Sequence, residues 1–191
     1  KYFLIQATAA AMILFSSSIN AWLTGQWDIS QPMNPYSTTL LTIALAMKLG
    51  LTPLHLWLPE ILQGSTMNTA MIITTWQKLA PLSILLTMQQ NLNPTLLMIL
   101  GITSTLIGGW GGLNQTQLRK IMAFSSIAHL GWMIMVLTFL PTLTTLNLLL
   151  YIIMTLTTFM IMITMKLKTI QNMTTTWATS PLMTIMLMLT I

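Results

Sequence analysis

Long apolar runs separated by short polar clusters make up almost the whole chain. A helix that spans a bilayer needs ~20 mostly apolar residues. Six such runs follow one another, at 2–23, 38–58, 66–88, 94–110, 118–140 and 142–165, and a seventh opens near Pro181. The joints between them carry turn chemistry: Asn34-Pro35, Gln63-Gly64-Ser65, Asn91 to Pro94, Gly111-Gly112 and Pro141. The strict alternation of a membrane β-barrel is missing. Helices are then the spanning elements that can satisfy their own backbone in lipid. The pattern predicts an all-α, polytopic transmembrane helix bundle. Residues 1–191 read as a single membrane domain, with no soluble domain, long linker or internal repeat. Because the chain opens on Lys1 and stops inside an apolar run at Ile191, it reads as a fragment: about six transmembrane helices plus the start of a seventh.

Charge supports that reading. Only 5% of residues are charged and 54% are hydrophobic, whereas a soluble domain carries roughly 25% charge. The natural solvent of such a chain is the lipid bilayer. The net charge of +5 comes from seven scattered basic residues, which form no patch for nucleic acid. Six alternating spans would put Lys1, Arg119, Lys120, Lys166 and Lys168 on one face with Glu60, and only Asp28 on the other. That is the positive-inside pattern, with the basic face toward the matrix or cytoplasm. These residues are expected to set topology at the interface. With no cysteine, disulfides, thiolate metal sites and cysteine-held iron–sulfur clusters are outside this chain's repertoire. The abundance of Met and Thr reads as coding bias, and Met fills gaps in apolar packing well.

Two lysines break the pattern. Lys48 is at the midpoint of 38–58 and Lys78 is near the midpoint of 66–88. A charge at that depth costs ~2.5–3.5 kcal/mol on insertion scales and usually marks function. Roughly ten residues, or ~15 Å, separate each from either surface, farther than a lysine stem can snorkel. Prolines flank both. Pro53 cannot donate to the Leu49 carbonyl, nor Pro81 to the Gln77 carbonyl. Each freed carbonyl must find another partner. A discontinuous helix is therefore expected between Gly50 and Pro53, and a second weak point beside Lys78. Broken helices around an ionisable group at mid-depth are characteristic of transporters.

Both histidines also fall within spans. His55 is seven residues after Lys48, on the same face if the helix held. His129 is central in 118–140, one turn beyond Ser125 and Ser126. Each can pass protons near neutral pH, or act as a neutral hydrogen-bonding group between helices. A haem held by His55 and His129 is a further alternative, but it leaves both lysines unexplained. Lys48, His55, Lys78 and His129 are thus expected together in the membrane interior. Two ammonium groups ~6 Å apart at a dielectric of ~20 repel by roughly 2.8 kcal/mol. Protonating one would expel the proton of the next, which is the essence of a relay.

The run Met47-Lys-Leu-Gly-Leu-Thr-Pro-Leu-His-Leu-Trp-Leu-Pro-Glu60, then Thr75-Trp-Gln-Lys-Leu-Ala-Pro81, resembles the antiporter-like membrane subunits of respiratory complex I. So does the stretch from Gly108 through Arg119-Lys120 and Ser125-Ser126 to His129 and Trp132, together with the opening Lys1-Tyr-Phe-Leu-Ile-Gln. The likeness covers essentially the whole chain. The Met and Thr richness is similar to that of proteins encoded in mitochondrial DNA.

The resemblance implies a core membrane subunit of NADH:ubiquinone reductase that translocates protons in the mitochondrial inner membrane. It further implies Lys48 and Lys78 as proton-transfer residues and His55 and His129 as possible relays. The family pairs the first lysine with a glutamate expected before Lys1, and adds a last lysine expected after Ile191. It implies no cofactor in this chain, since NADH, flavin, iron–sulfur clusters and ubiquinone belong to other parts of the complex. The other membrane subunits and the bilayer are the implied partners. An autonomous cation/proton antiporter and a non-catalytic structural membrane subunit are the rival readings.

Overall fold

A computed structural model describes residues 2–28 and 34–190; Lys1 and its expected place on the basic face lie outside them. Every regular element in the described chain is a helix: α1 (Tyr2–Thr24), α2 (Pro35–Leu49), α3 (Trp57–Gly64), α4 (Met67–Thr87), α5 (Pro94–Leu113), α6 (Leu118–Phe139), α7 (Pro141–Thr164), α8 (Ile170–Thr179) and α9 (Pro181–Thr190). The starts follow local chemistry. Pro35, Pro94 and Pro141 stand in the first turn, where a missing N–H costs nothing. Asn34, Thr66 and Asn93 cap α2, α4 and α5 by accepting the N–H of Tyr36, Thr69 and Thr95. The many threonines satisfy themselves inside their own helices: Thr42, Thr155 and Thr158 donate to carbonyls three or four residues back. A helix rich in hydroxyls can thereby remain in lipid.

α1, α5, α6 and α7 are long and apolar enough to cross a membrane. The bundle is polytopic and all-α, as expected. α4 has comparable length, 21 residues, but Asn68, Gln77, Lys78 and its threonines dilute its apolarity. Two apolar clusters occupy the two halves of the bundle. Leu41, Leu45 and Leu49 of α2 pack with Leu82 and Leu85 of α4 and with Met133 and Leu137 of α6. In the other half, Trp57, Leu58 and Leu62 of α3 pack with Met122 and Ile127 of α6 and with Phe159 of α7. α2 and α3 thus divide one apolar run between the two clusters.

Three expectations change. The dipeptide Gly111-Gly112 is not a turn but the last part of α5. A Cβ at Gly111 would come within 2.5 Å of the Phe124 ring, so the residue is small to admit α6. The stretch after α7 is not loop alone. Ile170, Met173 and Trp177 recur at helical spacing, and α8 forms with Met173 buried. Pro81 causes no break: α4 runs unbroken through it, so one lost donor is tolerated there.

Candidate functional site

The discontinuity expected between Gly50 and Pro53 organises the site. Gly50 stops α2 in a left-handed conformation, φ +80° and ψ +42°, which costs a Cβ-bearing residue but not glycine. The N–H groups of Gly50 and Leu51 both donate to Ala46 O at 2.9 Å. Residues 52–56 form turns, with the Thr52–Pro53 peptide cis, before α3 begins at Trp57.

A helix end leaves carbonyls that need donors, and here two of them come from afar. Trp57 Nε1 reaches back to Met47 O at 3.1 Å. Lys78 Nζ, from the middle of α4, donates to Leu49 O at 2.5 Å. The carbonyl that Pro53 cannot serve is therefore served by the second buried lysine. Lys78 is only 2% exposed. The break is also held from α5: Thr52 N–H donates to Ser104 Oγ at 3.2 Å, and its hydroxyl to Thr103 Oγ1 at 2.8 Å.

Lys48 is half-buried and lines a cavity of about 660 Å³ with Tyr2, Gln6, Gln77, Pro81 and Ser83. Tyr2 donates its hydroxyl hydrogen to Gln77 Oε1 across that cavity. Lys48 and Lys78 are thus joined through one backbone unit: Lys78 holds the carbonyl of Leu49, the residue that follows Lys48.

The histidines take different places from those expected. Since α2 does not continue, His55 leaves the face of Lys48 and packs on α6, its ring 6.5 Å from that of Phe124. It is 8% exposed, and its Nδ1 has no hydrogen-bond partner among the described residues. His129 is exposed on the described chain and lines a groove of about 470 Å³ between α5 and α6, which does not include His55. Nor do the four candidates form one uniformly buried file.

Tyr151, outside the expected set, links the α4 turn before Lys78 to His129. Tyr151 of α7 is 4% exposed. Its hydroxyl donates to Thr74 O at 3.0 Å, one α4 turn before Lys78, and its ring lies 5.7 Å from that of His129. The signal was a lone aromatic with a polar tip in an otherwise aliphatic run, the kind of side chain that seeks a partner when buried.

A family model described as NADH:quinone oxidoreductase/Mrp antiporter, TM, matches residues 1–191. The chain is 62% identical over 187 residues to NADH-ubiquinone oxidoreductase chain 2 of Tetraodon nigroviridis, covering 98% of this chain and 53% of that protein. It is 57% identical over 191 residues to the Xenopus laevis protein of the same name, covering 100% and 55%. The chain spans about half the length of the curated relatives it matches. Among solved structures, it resembles a chain of respiratory complex I from Thermus thermophilus with bound aureothin, with TM-score 0.81 and 25% identity, over 96% of this chain and 44% of that one. The fold is also that of a chain in the Mrp complex of Dietzia sp. DQ12-45-1b, with TM-score 0.78 and 17% identity, over 84% and 34%.

Proposed function

The chain belongs to the NADH:quinone oxidoreductase/Mrp antiporter transmembrane family, and from that premise we propose that it forms part of a core proton-translocating membrane subunit of NADH:ubiquinone oxidoreductase. The relatives named for that enzyme support the reading, as does the site. In it, the chain works in the mitochondrial inner membrane beside the other membrane subunits of the complex. NADH, flavin, iron–sulfur clusters and ubiquinone act elsewhere, in line with a chain that has no cysteine.

The observation that carries the proposal is Lys78 itself. A fully buried amine is costly in a membrane protein, yet this one points at the open end of a broken helix. Its hydrogen bond to Leu49 O holds the amine at the break and leaves its other two positions, N–H or lone pair, for proton exchange. Lys48 takes up a proton on the side of its cavity, where Gln6, Gln77 and Ser83 offer water polar partners in a mostly apolar wall. The proton passes to the Lys78 amine. Onward transfer runs past the turn that Tyr151 ties to His129, with His55 serving the α3–α6 side. Repulsion between neighbouring ammonium groups supplies the push.

The test uses two substitutions of Lys78 in the assembled complex. Lys78→Met removes both the proton site and the donor to Leu49 O. Lys78→Arg keeps a donor but holds its proton permanently. Both variants should lower protons moved per electron pair or turnover. An assembled Lys78→Arg complex with both measures unchanged would remove Lys78 from the path.

A further inference from the structure

Three of the basic residues assigned to one face converge on a recess. Arg119 at the start of α6, Lys166 after α7 and Lys168 line a cavity of about 330 Å³ beside Thr66 and Asn68 at the start of α4. The rest of the wall is apolar, including Met67, Met162, Ile163 and Leu167, and no acid is among the lining residues.

Tertiary contacts build this arrangement. Leu118 N–H donates to Lys168 O at 3.3 Å and Ile170 N–H donates to Thr116 O at 3.2 Å. These bonds clamp the segment after α7 against the start of α6, so Lys168 is held beside Arg119. Arg119 in turn donates through Nη1 to Gln63 O, at 3.3 Å, and to Ser65 O, tying in the α3–α4 joint. A guanidinium has five donors, so bonds from one nitrogen leave others for a ligand.

Lys166 adds an independent observation. It ends α7 in the left-handed region, φ +52°, where Leu167 N–H closes back on Met162 O. Glycine or asparagine normally fills that position. A lysine in that region, where its backbone is strained, points to a role for its side chain. Here the side chain is a cation on the rim of the recess.

We infer that this recess is a binding site for the phosphate of an anionic phospholipid. The cationic rim, set by Arg119, Lys166 and Lys168, takes the phosphate. The partly exposed Met67 and Ile163, backed by the buried Met162 and Leu167, take the first carbons of an acyl chain. Basic pockets between transmembrane helices on the positive face suit such head groups. A free phosphate would need the rim alone, and the apolar wall distinguishes the two. The inference stands apart from the proton route, because none of these residues touches Lys48, Lys78 or the histidines in the hydrogen bonds above.

The experiment uses the intact complex in phosphatidylcholine vesicles doped with phosphatidylglycerol carrying a photoreactive head group. Cross-links should map to residues 162–168. Each lysine near an anionic surface contributes roughly fivefold, so Lys166→Gln with Lys168→Gln should cut the yield by more than tenfold, and arginine at both positions should restore it. Equal labelling by a photoreactive phosphatidylcholine overturns the site, as does unchanged labelling in the double variant. Protection by millimolar inorganic phosphate as complete as that by unlabelled phosphatidylglycerol assigns the site to free phosphate and overturns the lipid. Should the double variant not assemble, the ratio of phosphatidylglycerol to phosphatidylcholine labelling in the unaltered complex decides.

Discussion

In the proposed route Lys78 carries two loads at once, a proton site and the cap on Leu49 O. On the sequence alone, replacing it by methionine should relieve a desolvation cost. The structure changes that estimate, because the Leu49 carbonyl would lose its donor, and a buried unsatisfied group costs about 1–3 kcal/mol. Lys78→Met should therefore assemble less well than Lys78→Arg, while both lower protons moved per electron pair or turnover. Gly50 permits a similar separation of effects. Alanine at φ +80° carries a backbone cost of roughly 1–2 kcal/mol, and its Cβ would meet the Trp57 ring at 3.4 Å. Gly25, at φ +71°, has nothing near its Cβ position. Gly50→Ala should shorten the thermal lifetime of the purified complex more than Gly25→Ala, and equal lifetimes would deny the Trp57 contact any energetic role. For Tyr151, phenylalanine keeps the ring beside His129 and removes only the bond to Thr74 O. Assembly should survive, and proton transfer should slow several-fold if the phenol orders the route.

At the scale of helices, close approach substitutes for charge and shape. α5 and α6 meet through glycine. A Cβ on Gly108 would lie 2.7 Å from Ala128 N, and one on Gly131 would lie 2.7 Å from Ser104 Cβ. Small residues at such interfaces let backbones approach, which drives association where lipid is as apolar as leucine. Gly109, next in sequence, has open space. Gly108→Ala should reduce the yield of assembled complex severalfold, while Gly109→Ala should leave it near normal. Matching yields would mean that the α5–α6 contact is looser than the geometry describes. Because Ser104 and Thr103 of α5 also hold Thr52, a displaced α5 should loosen the break in α2 as well.

For the molecule as a whole, the joints collect at two ends. Arg119 bonds to the α3–α4 joint, and the same recess takes in Lys166 and Lys168, so three joints assigned to the basic face do meet. The chain has no cysteine, so single introduced cysteines report sidedness cleanly. Asn114→Cys, after α5, and Thr142→Cys, at the start of α7, should react with a membrane-impermeant maleimide from opposite sides of the membrane. Labelling of both from one side would overturn the alternating topology.

The sequence by itself determined the bundle, most helix limits and the break between Gly50 and Pro53. Those follow from local quantities: the length of an apolar run, a cap, a glycine, a missing N–H. It also singled out Lys48 and Lys78, since a charge in an apolar run is visible without any fold. It misjudged Pro81 and Gly111-Gly112, because a helix held by its neighbours absorbs one lost donor, and glycine serves packing as readily as turning. Which side chain meets the Leu49 carbonyl was a tertiary decision: the donor comes from a residue 29 positions away. The same holds for Tyr151 against Thr74, for His55 turned onto α6, and for the three cations brought to one recess. Each depends on how separate helices pack, and no residue's own neighbourhood in the chain encodes that distance.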